Sequence, residues 1–138
     1  MKKSTLAIVV GIIIGGLFIA LGDTLSLYMF PSVEPIPTDQ RLLAYYMEND
    51  VPFGAQLIVV VNWVIAACVA SVTSSLISGR TSAKPMLAAV GVLNVLTLFQ
   101  LLIRQHPKWM LISSFALFIP VGYIIYLLIR KKHTNEEA

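Results

Sequence analysis

Residues 51–78 read VPFGAQLIVVVNWVIAACVASVTSSLIS, 28 positions without one charged side chain. A bilayer core about 30 Å thick needs roughly 20 predominantly apolar residues in a helix. This run exceeds that length. Three more uncharged runs flank it, at 6–22, 86–103 and 109–129. The first is 17 residues long, at the lower limit, and Leu25 to Phe30 can extend it. All ten Lys/Arg and all seven Asp/Glu fall between or outside these runs. The pattern predicts an all-α membrane protein. Its four transmembrane helices, about 5–29, 52–78, 86–104 and 109–130, form an antiparallel up-down bundle in one domain covering 1–138.

Composition agrees with this class. Charged residues make up 12% of the chain, against about 25% in soluble domains. The longest polar stretch, 23–50, is too short to bury a core of its own. The net charge of +3 does not point to nucleic acid, because the basic residues sit at span ends. Met1-Lys2-Lys3 ahead of an apolar run resembles a secretory signal, and Ala20-Leu21-Gly22 resembles a cleavage site. The run is longer than a signal core of about 7–15 residues, so it is read as an uncleaved first span.

Loop charges set the expected orientation. Lys2, Lys3, Arg80, Lys84, Arg130, Lys131 and Lys132 share one side, and Arg41, Arg104 and Lys108 share the other. Lys/Arg excess marks the cytoplasmic face, which puts both termini inside and the acidic 23–50 connection outside. In that connection Pro31, Pro35 and Pro37 interrupt helix formation. Thr38 can then cap a short amphipathic helix, about 39–48, with Asp39 in its first turn. Leu42, Leu43, Tyr46 and Met47 can share its apolar face. Tyr45 and Tyr46 suit the headgroup level, as does Trp109 in the outer corner. This helix is expected to lie on the outer surface, either plugging the loop to the bundle or binding a partner or ligand. The short 79–85 and 104–108 connections predict that spans 2, 3 and 4 pack as sequential neighbours.

Small residues carry the clearest packing signal. Gly11 and Gly15 form a GxxxG pair, and Gly16 and Ala20 form a second small pair. In the second span Ala66, Ala70, Ser74 and Ser78 recur every fourth residue, as do Ala67, Ser71, Ser75 and Gly79. Such spacing lets helix backbones approach closely in lipid. It fits packing of span 1 on span 2, or a contact between copies of the chain. Asn62, Asn94 and Gln100 lie within spans and need partners that lipid cannot supply. Ser113, Ser114 and the carbonyl freed by Pro120 are candidate partners in a buried polar cluster. Pro120 removes one backbone bond and is expected to kink the last span.

Several short motifs together carry a resemblance. They are Tyr28-Met29-Phe30-Pro31 after the first span and Val51-Pro52-Phe53-Gly54-Ala55 opening the second. Trp63 on the small-residue face, Gly79-Arg80, His106-Pro107-x-Trp109 and Pro120 complete the set. The chain resembles a family of small four-helix bacterial inner-membrane proteins without an assigned biochemical function. That family tends to carry glycines where this chain has Ala66, Ala70, Ser71 and Ser74, which keeps the residues small. The resemblance implies the membrane and the fold, and supplies no catalytic residue.

The residues exclude most reactive chemistry. Haem between spans needs a ligand at depth, and neither His106 nor His133 lies there. Cys68 stands alone, so no thiol pair exists. No catalytic, metal-binding or cofactor-binding residue is assigned, and no cofactor is expected. The reading is a non-enzymatic subunit or helix-packing interaction protein. Its partners would be the lipid bilayer and either a second copy or another membrane protein. The alternative is a small oligomeric transporter or channel for a neutral solute, with Asn62, Asn94 and Pro120 as its best residues.

Overall fold

A computed structural model describes residues 2–31, 35–79 and 82–136 of the chain. Glu34 and Arg80, both part of the charge pattern, and the side chain of His133 lie outside the described residues. Five helices follow in order: α1 (Lys2–Met29), α2 (Gln40–Asn49), α3 (Phe53–Ile77), α4 (Lys84–Ile103) and α5 (Lys108–Glu136). No strand occurs among the described residues. α1, α3, α4 and α5 are each long and apolar enough to cross a membrane.

Local chemistry sets the helix boundaries. Asp39, not Thr38, caps α2: its carboxylate accepts the backbone N–H of Arg41 and of Leu42. The carboxylate thereby satisfies two of the donors that a helix start leaves open. Pro52 stands at the N-cap of α3, where its missing N–H costs nothing. Gly79 follows the C-cap of α3 with φ 83°, the left-handed conformation that glycine adopts without a Cβ penalty.

Small residues decide which helices meet. Along α1 and α3, Ser74 Oγ donates to the Ala7 carbonyl at 2.8 Å. Gly11 lies against Ser74 and Ala70, and Gly15 against Ala70 and Ala66. Further along, Asn62 Nδ2 donates to the Phe18 carbonyl at 2.7 Å, and Ser26 Oγ donates to the Ala55 carbonyl at 3.1 Å. Numbers rise on α1 as they fall on α3, so the two helices run in opposite chain directions. The other small row of α3 serves a different neighbour: Ser71 Oγ donates to the Gly122 carbonyl of α5 at 2.7 Å. Gly122 in turn faces Val90 and Met86 of α4.

Spans 3 and 4, α4 and α5, pack as neighbours as expected, whereas span 2, α3, has its larger interfaces with α1 and α5 rather than with α4. α1 contacts α3 and α4, and α5 contacts α3 and α4. No contact between α1 and α5 occurs among the described residues. α3 and α4 follow each other in sequence but share the smallest interface and meet across the diagonal. A short connection keeps two helices near each other without fixing their closest partners. The small faces of α3 do that, because they let α1 and α5 approach. Trp63, Ala67, Met86, Leu93 and Phe118 fill the centre.

Candidate functional site

Asp23 lies inside α1, six residues before its end, as the span expected at about 5–29 implies, although the charge count places it with the following connection. Six residues of helix are about 9 Å. The helix continues through Leu25, Leu27 and Met29, so the carboxylate is held against the bundle, 20% exposed. Gln100 Nε2 of α4 donates to Asp23 Oδ2 at 2.7 Å. Arg104, one turn further along α4, approaches the same oxygen at 4.0 Å with its own side chain 55% exposed. An ion pair so exposed adds little stability. It does fix one cation beside one anion.

These three side chains form part of the wall of a cavity of about 840 Å³. It opens at the end of the bundle that carries α2. On the α3 side, Pro52, Ala55, Gln56, Val59 and Trp63 line it progressively deeper. Trp63 packs on Phe118 with ring centroids 6.3 Å apart. On the α4 side, Thr97 is the deepest lining residue. It is 3% exposed, and its hydroxyl has no hydrogen-bond partner among the described residues. A buried hydroxyl left unpaired costs about 1–3 kcal/mol, which makes this position a ready acceptor and donor for a guest.

α2 covers the cavity. Leu43, Tyr46 and Met47 turn toward it, whereas Leu42 and Tyr45 are exposed, Tyr45 by 64%. Leu42 therefore leaves the apolar face expected for it, and the two tyrosines separate. Gln56 ties the cover down: its Nε2 donates to the Met47 carbonyl at 3.0 Å and the Val51 carbonyl at 3.3 Å. Its Oε1 accepts from Trp109 Nε1 at 3.2 Å, and Trp109 packs at a tilt against Phe53 with centroids 5.5 Å apart. Trp109 is thus a brace between the starts of α5 and α3. α2 is held by few side chains and buries no residue fully, the profile of an element that opens at low cost.

His106 closes the rim. It follows Gln105, whose φ of 54° turns the chain, and its backbone N–H donates to the Leu101 carbonyl. Burial, then the nearby Arg104 charge, hold the imidazole pKa down to about 4. Its Nδ1 is buried without a partner among the described residues. The side chain is neutral at neutral pH.

The predicted polar cluster is not one cluster. Asn62 bonds α1. Asn94 Nδ2 donates to the Ser114 carbonyl at 3.0 Å and ties α4 to α5. Gln100 bonds Asp23. Ser113 and Ser114 return their hydroxyls to Trp109 and Leu111 of their own helix. Neither Asn62 nor Asn94 lines the cavity, and Ala116 and Pro120 stand on the exposed side of α5. Gly11, Gly15, Ala66, Ala70 and Ser74 are used inside the chain, while Ser78 bonds Ser75 at the end of α3. Asp23, Gln56 and Thr97 were absent from the predicted site. Their one available signal was the apolar continuation after Asp23, which keeps that acid within a helix. Comparison with protein-family models, with curated proteins and with solved structures finds no match to this chain.

Proposed function

We propose that this chain is a non-enzymatic, multi-pass membrane protein that binds a small amphipathic molecule in the cavity beneath α2. The single observation behind the reading is that cavity. Its volume of about 840 Å³ falls within the roughly 300–1,000 Å³ of small-molecule sites. Its walls combine apolar side chains with a few convergent polar groups, the composition such sites share. The small-residue faces are occupied within the chain, which weakens the case for an oligomer contact at Gly11 and Gly15. Asn62 and Asn94 are engaged between helices, which removes the main residues of the solute-channel alternative.

The proposed setting is a bacterial inner membrane, with the four long helices as an up-down antiparallel bundle. Both termini are cytoplasmic and α2 lies on the outer surface. The loop-charge asymmetry and the family resemblance support this setting. Exposed Val95, Phe99, Ile112 and Phe115 then face lipid. Among the described residues, no nucleophile with an adjacent base accompanies the cavity, which favours binding over catalysis.

Quenching of Trp63 tests the reading. Trp109→Phe leaves one tryptophan, because the chain has two; it gives up the Trp109–Gln56 bond, so every comparison is made within that background. A brominated straight-chain alcohol should quench it saturably, and the unbrominated alcohol should compete. Val59→Phe, which fills the cavity, should weaken the effect. Quenching that rises linearly with probe and ignores Val59→Phe would reflect bulk contact and overturn the reading.

A further inference from the structure

A second depression, about 380 Å³, lies on the side of the bundle between α1 and α4. Gly16, Ile19, Ala20, Leu93 and Leu96 line its apolar part. Gly15 and Gly16 divide the work. Gly15 faces Leu93 and Ala70 in tight contact, whereas a Cβ at Gly16 would meet nothing within 4 Å. Ala20 and Leu96 are exposed at the rim, so the groove opens sideways rather than toward the bundle end. The Gly16/Ala20 pair, unused in packing α1 on α3, is what keeps the groove open.

The groove and the cavity share Asp23, Thr97, Gln100 and Arg104 in their walls. A slot open to the side therefore meets a largely apolar chamber under α2 at one cluster of charged and polar groups. Thr97, nearly fully buried and without a hydrogen-bond partner among the described residues, faces both spaces. The charged groups lining the chamber are the carboxylates Asp23 and Asp50 and the guanidinium Arg104, with the neutral His106 at the rim. An anionic headgroup would set its charge against two carboxylates, and a cationic one against the arginine. A headgroup carrying both signs satisfies both.

We infer that the site takes a zwitterionic aminophospholipid from the surrounding leaflet. Its phosphate sits beside Arg104, its ammonium beside Asp23 and Asp50, and an acyl chain leaves through the Gly16 groove. This rests on the cavity reading above and names the ligand class for it. Ammonium N–H donors suit the two carboxylates, and the Thr97 hydroxyl can donate to an ester or phosphate oxygen. Arginine suits phosphate through its paired donors. Lateral entry needs no charged headgroup to cross the apolar core.

The test uses the full chain in detergent with phosphatidylethanolamine, phosphatidylcholine and phosphatidylglycerol of identical acyl chains. Retention of each is read by native mass spectrometry. Phosphatidylethanolamine should be retained about tenfold over phosphatidylglycerol, about 1.4 kcal/mol, with phosphatidylcholine between them. Arg104→Gln should erase the advantage over a lipid lacking phosphate, diacylglycerol. Gly16→Leu, placed in open space and so expected to fold, should lower retention of all phospholipids. Equal retention of the three, unchanged by Gly16→Leu in a protein with normal melting, would overturn the inference. Saturable Trp63 quenching by the brominated alcohol alongside that result would leave the cavity reading standing and sink only the lipid assignment. Preference for a cationic amphiphile over phosphatidylethanolamine would also overturn it.

Discussion

Adjacent glycines give the sharpest test of the packing. At Gly15 an added Cβ would meet Leu93 Cδ1 and stand 3.0 Å from Ala70 Cβ and 3.4 Å from the Ala66 carbonyl oxygen. Two of those neighbours belong to the backbone or to its first side-chain atom and cannot swing away. At Gly16 the same atom would meet nothing. Alanine in place of glycine inside a helix gains about 0.5–1 kcal/mol from backbone entropy. Overpacking costs about 1–3 kcal/mol. Gly16→Ala should therefore stabilise by about 0.5–1 kcal/mol. Gly15→Ala should come out near neutral to about 2.5 kcal/mol worse, and Gly15→Leu lower still. Reversible unfolding in mixed micelles of a mild detergent and dodecyl sulfate measures the difference. Particle size should not change, because the neighbours of Gly15 lie in the same chain. Equal stability for the two alanine variants, or dissociation of a larger particle by Gly15→Leu, would refute the assignment of this face to the α1–α3 contact.

Four further outcomes follow, three from other contacts and one from the loop charges. Asn62→Ala should cost about 0.6 kcal/mol in the same assay, the average for interhelical hydrogen bonds in membranes, and no more than about 1.7 kcal/mol. Gly22→Ala should cost at least as much, because its Cβ would collide with the Asn62 amide. His106 stays neutral in the folded chain down to pH about 4, while an unfolded histidine takes its proton near 6.5. The unfolded state then binds more protons between those values, so stability should fall as pH drops from about 6.5 to about 4. His106→Gln should flatten that part of a pH–stability profile, and an unchanged slope would count against the buried imidazole. With Cys68→Ala as background, Thr38→Cys should react with an impermeant thiol reagent in intact cells and Lys131→Cys only after permeabilisation. The reverse pattern would invert the proposed orientation.

The four long helices were legible because the bilayer imposes length and apolarity together, and the charges mark where each run stops. Glycine and alanine spacing also showed which faces of α1 and α3 are small. Pairing across the bundle was less legible. Ser74 and Ser71 belong to two adjacent small rows of α3 and serve α1 and α5 respectively, and the spacing of the rows does not say which helix each one meets. The site was hidden for a related reason. Asp23 falls within the span expected at about 5–29 but is counted by its charge with the loop acids, and its partner, Gln100, lies 77 residues away. Gln56 and Thr97 look like ordinary span residues until the fold sets them around an open volume. A cavity is an absence of side chains between elements, and no local pattern encodes it.

The occupant of that volume is the central claim, and a photoreactive side chain reports it directly. A diazirine amino acid at Met47, on the inner face of α2, should capture a molecule on illumination of intact membranes. The same residue at Val95, exposed on α4, samples bulk lipid. An occupied cavity gives an adduct at Met47 dominated by one amphiphile class, enriched over its share at Val95. An adduct profile at Met47 identical to that at Val95, or capture of water alone, would contradict it.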